Sequence, residues 1–212
     1  CGAEIPLIRS LWLAKDVNRL TALKLTPNQD VKSINISIFS PEKKTDVGKG
    51  TVNRGSATCP CCGYTTAAKD VKRQFQGKKG GANNSKLLAV VIQSKDNKKY
   101  YRTPKEIDFI AITKSREKLE KIIESNKEMN FFEESLPYLR SIFNIHLLDV
   151  KCWGDLFSNR QILSLLTFCN ILNLYKKKIN SEKIQTDPKV LYTLLSLGVD
   201  KIADYNSSLC RW

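Results

Sequence analysis

The pentapeptide Cys59-Pro60-Cys61-Cys62-Gly63 predicts a metal-binding loop, and the fold prediction starts from it. Cys59 and Cys62 lie three positions apart, so their thiolates can both bind one Zn²⁺ at about 2.3 Å. Gly63 allows the tight reversal of the backbone that follows. This spacing is typical of a zinc knuckle. Because structural zinc is almost always four-coordinate, the pentapeptide predicts a second pair of ligands.

The first two residues of the chain repeat the Cys-Gly ending of the pentapeptide. We therefore predict that Cys1 closes a second half-knuckle whose other cysteine lies just upstream. The two half-knuckles would clamp a ribbon across residues 2–58. The predicted zinc ligands in this chain are Cys1, Cys59 and Cys62.

Other interpretations of the cysteine pattern stay open. Cys61 is an alternative ligand, although adjacent cysteines rarely both bind one metal. A redox-active Cys-x-x-Cys pair usually occurs in a βαβ context, which this sequence does not predict. A chance grouping of packed cysteines is the third possibility.

The cysteine count also indicates the compartment. Seven cysteines and no visible secretion signal do not fit a disulfide framework, so we expect a cytoplasmic protein. The longest charge-free apolar stretch, 161–175, is interrupted by Ser164, Thr167, Asn170 and Asn173 and is shorter than the ~20 residues that a bilayer requires. We therefore expect no membrane partner.

The net positive charge is concentrated in the first half of the chain. The sequence has 35 Lys+Arg and 21 Asp+Glu, and residues 1–110 hold 20 of the basic and 9 of the acidic residues. This asymmetry predicts a face that binds a polyanion such as double-stranded DNA, although solvated lysines would give the same count. Phe75, Tyr100 and Tyr101 could stack on bases or pack in the core. The predicted DNA contacts flank or follow the knuckle: Arg54, Lys69, Lys72, Arg73, Lys78 and Lys79.

The hydropathy pattern predicts an α+β chain with two regions, a β-rich basic region at 1–104 and a helical region at 105–212. Alternating apolar residues predict a strand over 31–39, and a second strand at 87–92 is expected to pair with 98–102 across a turn. The segment 77–85, which precedes the strand at 87–92, is predicted to be a glycine-rich basic loop.

Three helices are predicted in the second region. The first begins with Thr103-Pro104 and runs to about Ser125, with Thr103 as the N-cap. The second begins at Ser158 with a capping box to Gln161 and ends near Lys178. The third spans 187–204. The second helix is apolar around nearly its whole circumference, so we expect part of it to pack on something absent from this sequence.

The sequence contains no catalytic set. It has one histidine, no Gly-x-Gly-x-x-Gly and no P-loop, so we expect no catalysis by this chain alone.

Several segments, in order along nearly the whole chain, resemble the zinc-ribbon-containing, adenine-specific DNA methylases. The Phe-Ser-x-Arg-Gln and Asn-Ser-Ser-Leu-x-Arg-Trp pieces are specific in combination. The matching segments are 1–7 (CGAEIPL), 12–15 (WLAK), 50–52 (GTV), 59–63 (CPCCG), 101–104 (YRTP), 153–161 (WGDLFSNRQ) and 203–212 (ADYNSSLCRW).

The resemblance implies an inner segment of a methylase. In that family a cysteine shortly precedes the position of Cys1, the S-adenosylmethionine loop lies earlier, and the Asp-Pro-Pro-Tyr motif that holds the target adenine lies later. Neither motif is present in this sequence. Zinc would be the cofactor of this segment, and S-adenosylmethionine would belong to the missing catalytic part.

The resemblance also implies the function that we expect. This chain would bind DNA and recognise the target for an adenine-N6 DNA methyltransferase, with the helical region packing on the missing catalytic core. One alternative is a free-standing nucleic-acid-binding zinc-ribbon module. The other is a structural scaffold whose zinc maintains the fold and whose lysines only solubilise it.

Overall fold

The structure is a computed structural model that describes residues 1–16, 19–76, 85–125, 133–137, 148–181 and 187–207, with the backbone alone at 178–181. The described residues form antiparallel strands in the N-terminal half and helices mostly in the C-terminal half, which confirms the predicted α+β class. The chain divides into two compact units. The first comprises Cys1–Gln76 with Lys86–Glu106, and the second comprises the other residues.

The largest sheet of the first unit is an antiparallel meander of β1 (Trp12–Asp16), β2 (Arg19–Asn28) and β3 (Ser33–Phe39). Strand β3 confirms the strand predicted at 31–39, apart from its first two residues, which belong to the turn. The isoleucines on alternate positions of β3 are half-buried while Asn35 and Ser37 are exposed, as the alternation predicts.

The centre of that sheet lies on β2, a strand that the sequence pattern did not resolve. Thr21, Ala22 and Leu23 are all buried, so the strand is covered on both faces at this point. Leu11 is buried with them, and its carbonyl accepts a hydrogen bond from the Leu23 N–H at 2.7 Å. A strand covered on both faces loses the alternation that identifies a half-buried strand.

A second, smaller sheet carries the knuckle. It consists of β4 (Val52–Asn53), β5 (Ser56–Thr58) and β6 (Thr65–Thr66), followed directly by α1 (Ala68–Phe75). Ala57 on the central strand is buried. The knuckle is the loop between β5 and β6, so both ends of the loop are fixed by strand pairing.

The third sheet is the predicted hairpin of β7 (Val90–Gln93) and β8 (Lys99–Arg102). Strand β7 begins three residues later than the predicted start at Leu87. The expected turn is present, with Asn97 at φ +60° and a hydrogen bond from the Ser94 N–H to the Lys98 carbonyl at 2.9 Å.

The second unit contains α2 (Glu106–Ser125), α3 (Asn159–Ser181) and α4 (Pro188–Tyr205). Helix α2 begins two residues after the predicted opening, so Thr103 is not its N-cap. Residues 103–105 have no regular secondary structure, and the helix begins at Glu106. Helix α3 begins as predicted and extends three residues beyond Lys178. At its start the Ser158 N–H and hydroxyl both donate to Gln161 Oε1, at 2.8 and 2.9 Å.

The described core of the second unit lies where α2 meets α3. Leu119, Ile162 and Leu166 are buried together, and Ile122 and Phe157 pack against them. None of the helices in the described part of the chain has the length and apolar character needed to cross a bilayer.

Candidate metal centre

The N-terminal segment is held against the ribbon by Thr51, which is buried. Its Oγ1 accepts a hydrogen bond from the Ile8 N–H at 2.9 Å and donates to the Pro6 carbonyl. The Ile8 carbonyl in turn accepts from the Val52 N–H at 3.1 Å. Thr51 therefore fixes the strand-like segment that leads back to Cys1.

Gly50 also allows the backbone next to Thr51 to lie close to the N-terminal segment. A Cβ at this position would collide with the backbone carbonyls of Ile8 and Arg9. Only a glycine lets the two backbones lie this close, because it has no side chain. The Gly50-Thr51 pair thus brings Cys1 back to a loop 58 residues away in sequence.

The knuckle loop is closed by its own backbone. The Cys59 N–H donates to the Tyr64 carbonyl and the Gly63 N–H donates to the Cys59 carbonyl, both at 2.9 Å. Gly63 has φ +73°, a left-handed conformation that favours glycine. The reversal places the thiols of Cys59 and Cys62 on the same side of the loop.

Cys1, Cys59 and Cys62 form one cluster, as predicted. Their three Sγ atoms all lie within 4.8 Å of one another. The Cys1 and Cys59 Sγ atoms are 3.8 Å apart, close to the ~3.8 Å edge of a tetrahedron with ~2.3 Å zinc–sulfur bonds. This donor set could hold a metal ion. The site is solvent-accessible, since Cys1 and Cys62 are exposed.

The loop also favours the thiolate form of Cys59. Partial burial raises the pKa of this thiol, but hydrogen bonds from the Cys62 and Cys61 backbone and side chains lower it, and the net pKa shift is downward. Metals bind the thiolate rather than the thiol. The backbone of the knuckle therefore prepares Cys59 for metal binding.

Cys61 does not belong to the cluster. Its thiol lies 3.7 Å from the Ser33 carbonyl oxygen on β3, and the Cys61 carbonyl accepts from Gln29 Nε2 at 3.3 Å. Burial and the negative charge of Cys59 raise the pKa of the Cys61 thiol, which favours its protonated form. Cys61 thus contributes to attaching the knuckle to β3 rather than to the three-thiol cluster.

The glycines of the two Cys-Gly pairs have similar φ angles. Gly2 has φ +81° and Gly63 has φ +73°, so each cysteine is followed by a glycine with positive φ. The two pairs thus agree in sequence and in the φ angle of their glycine.

Four of the predicted DNA contacts lie in one short stretch of the first unit. Arg54 is in the β4–β5 turn at φ +49°, and the next residue, Gly55, lies against Ala68 at the start of α1. Lys69, Lys72 and Arg73 are on the exposed face of α1, while Val71 and Phe75 are half-buried. Arg73 also pairs with Asp70 at 2.9 Å. Lys78, Lys79 and the end of the 203–212 segment lie outside the described residues.

The three candidate stacking residues differ in exposure. Phe75 is half-buried, Tyr101 lies under the Arg19 guanidinium at 5.7 Å, and Tyr100 is 51% exposed. Tyr64, which sequence reasoning did not single out, is 71% exposed next to the knuckle glycine. Sequence reasoning also missed Thr51 as a positioning residue. A single polar residue before a short strand gives no distinctive pattern.

Comparisons of the chain with protein-family models, curated proteins and solved structures give no match.

Proposed function

We propose that this chain is a zinc-stabilised DNA-binding segment that recognises the target for an adenine-N6 DNA methyltransferase. The observation that carries the proposal is the three-thiol cluster formed across 58 residues, followed by a helix with three exposed cations. The methyltransferase assignment depends on the resemblance of the segments quoted above. S-adenosylmethionine and the transfer chemistry would belong to the catalytic remainder.

Zinc is the metal that the donor set favours. Thiolate ligands select soft or borderline ions, and Zn²⁺ is bound by cysteine in structural sites. When bound, it would tie the N-terminal segment to the knuckle. A fourth ligand would complete the tetrahedron, and a second loop with the spacing of Cys59-x-x-Cys62-Gly63 would place a cysteine three positions before Cys1. A gene sequence with another residue there would contradict this two-knuckle arrangement.

DNA binding is supported by the placement of the cations. The first half of the chain carries the charge excess, and Arg54, Lys69, Lys72 and Arg73 are all exposed within one short stretch of the first unit. Phosphate contacts from such side chains position a protein on the duplex without reading its sequence. A rigid ribbon would hold these cations in place for the base-reading contacts that target recognition requires.

The salt dependence of duplex binding tests the DNA claim. We expect log affinity to fall steeply with log salt, and K69A/K72A/R73A to make the slope less negative by about 0.9 for each phosphate that the variant no longer neutralises. The matched control is K114A/K118A/K121A, which removes the same charge from exposed lysines of α2. A flat salt response of the unmodified protein, or equal effects of the two triple variants, would favour the scaffold alternative.

The helical unit carries the second part of the proposal, docking on a catalytic core. Helices α2, α3 and α4 leave many large apolar side chains exposed, and contiguous apolar patches on soluble proteins mark interaction sites. The exposed set on the described parts of α3 and α4 is Phe168, Ile171, Leu174, Tyr175, Val190, Leu194, Leu195, Leu197 and Tyr205.

Reading the gene on both sides of this segment tests the methylase assignment. We expect a glycine-rich cofactor loop upstream and an Asp-Pro-Pro-Tyr motif downstream, either in the same gene or in an adjacent one. Stop codons on both sides with no such motif nearby would contradict the assignment and leave the free-standing ribbon module.

A further inference from the structure

The β7–β8 hairpin presents two faces of different character. Residues that pair directly across antiparallel strands point to the same face. Ile92 therefore shares a face with Tyr100, and Val91 shares the opposite face with Tyr101. We name the first of these the Tyr100 face.

The opposite face is tied to the rest of the first unit by Arg19 of β2. The Arg19 guanidinium lies over the Tyr101 ring and donates to the Lys99 carbonyl. It also pairs with Asp16 at 3.2 Å. Arg19 thus contacts β8 on the face opposite Tyr100. These contacts hold the Tyr100 face in a defined position.

The Tyr100 face is apolar at its centre and basic on both sides. Tyr100 and Ile92 are both exposed. Arg102 lies two residues after Tyr100 on the same face of β8, about 7 Å away along the strand, where it is half-buried and donates to the Thr103 carbonyl at 3.0 Å. Lys98 immediately precedes the strand, two residues before Tyr100, and is exposed. The hairpin and its turn, 90–102, hold a clear excess of basic residues over a single acidic residue. That acidic residue, Asp96, pairs with Lys98 at 3.3 Å.

We propose that the β7–β8 hairpin binds single-stranded nucleic acid, with Tyr100 stacking on an unpaired base and the flanking cations contacting the phosphates on either side. An aromatic ring between basic residues is the combination used for binding single strands without sequence preference. Bases inside a duplex are already stacked, so a fixed surface ring is available chiefly to an unpaired base. The cation excess supplies the charge complementarity to the phosphate backbone.

This inference goes beyond the proposed function, because that function assigns duplex contacts to the α1 region. The two claims are tested separately. Duplex binding is tested by the K69A/K72A/R73A variant, and single-strand binding is tested by substitutions on the hairpin.

The test measures the affinity of the complete chain for fluorescein-labelled oligo(dT) and for a blunt duplex by anisotropy at one fixed salt concentration. We expect Tyr100→Ala to weaken oligo(dT) binding about tenfold and to change duplex binding much less. Tyr100→Phe keeps the ring and is expected to retain most of the affinity. Oligo(dT) that carries 5-bromouracil should crosslink to the peptide containing Tyr100 on irradiation.

Val91→Ala is the matched control, because Val91 is 55% exposed on the other face of the same hairpin. It should leave oligo(dT) affinity unchanged, and circular dichroism should show that all variants are folded. Equal weakening by Val91→Ala and Tyr100→Ala, a full loss with Tyr100→Phe, or no measurable oligo(dT) binding would each overturn the inference. If oligo(dT) binding depends on Tyr100 while duplex affinity does not change with salt concentration, the proposed function is contradicted and this inference is retained.

Discussion

The two units of the chain differ in how they are stabilised. In the first unit, the three thiols of Cys1, Cys59 and Cys62 bring the N-terminal segment next to the knuckle, and the buried apolar residues of the described part belong to or adjoin the sheets: Leu11, Ala22, Leu23 and Ala57. In the second unit, five apolar residues of the described part are buried, and three of them form a cluster between α2 and α3. A metal bound by the three thiols would stabilise the first unit further, because binding free energy at a structural metal site is folding free energy. The second unit keeps large apolar residues exposed on its described helices.

The largest expected effect comes from the cluster itself. Cys59→Ser should abolish metal binding and unfold much of the first unit, because structural zinc sites supply on the order of 10 kcal/mol of folding free energy. Metal analysis of the purified protein and hydrogen exchange of residues 1–76 would measure both effects. The helical signal from the second unit should persist.

Cys61→Ser is the matched control for that change, since Cys61 lies in the same loop and outside the cluster. It should leave the metal content unchanged. If it removes the metal as completely as Cys59→Ser does, the assignment of ligands is wrong.

In the second unit, Leu166→Ala should cost about 2–5 kcal/mol of unfolding free energy, because Leu166 is 2% exposed at the α2–α3 contact. Leu174→Ala, on the same helix at 65% exposure, should change the free energy of unfolding by less than about 0.5 kcal/mol. Urea unfolding followed by circular dichroism measures both. A comparable cost for Leu174→Ala would mean that this surface is already covered in the isolated chain.

Thr51→Val tests how the first unit positions Cys1. The valine keeps the shape of the side chain but leaves the Ile8 N–H and the Pro6 carbonyl without their hydroxyl partner, which should cost about 1–3 kcal/mol. We also expect weaker zinc affinity in a competition assay with a chromogenic chelator. Thr51→Ser retains the hydroxyl and should restore both properties. Unchanged zinc affinity in Thr51→Val would show that Cys1 is positioned by other contacts.

The smallest effect is expected at the start of α4. Asp187 Oδ1 accepts from the Lys189 N–H at 2.9 Å, so Asp187→Ala should cost about 1 kcal/mol through loss of the N-cap. Asp200→Ala, at an exposed position within the same helix, is the control and should have little effect. Thermal unfolding of the two variants compares them directly, and equal shifts would contradict a capping role.

Elements with strong local patterns were predictable. Helix α4 begins at the predicted Asp187-Pro188 and ends one residue past the predicted Asp204, and the alternation over 31–39 predicted strand β3. Strand β2 was not resolved, because three consecutive buried residues carry no alternation. The sequence pattern did not predict helix α1 either, for a different reason. It is short, and its charged residues predicted a binding surface without predicting the helix that presents them.

The sequence by itself determined which cysteines of this protein could bind a metal and where its positive charge lies. A Cys-x-x-Cys-Gly loop, a second Cys-Gly pair and an uneven charge are properties of residues and short spacings, and physical chemistry restricts what such patterns can bind. Only the tertiary structure decided that Cys1 joins the loop, that Cys61 turns toward β3, and that Tyr100 rather than Tyr101 stays exposed. Each of these outcomes depends on a contact between residues far apart in the chain. Such contacts are set by Thr51, Ser33 and Arg19, whose roles no local pattern records.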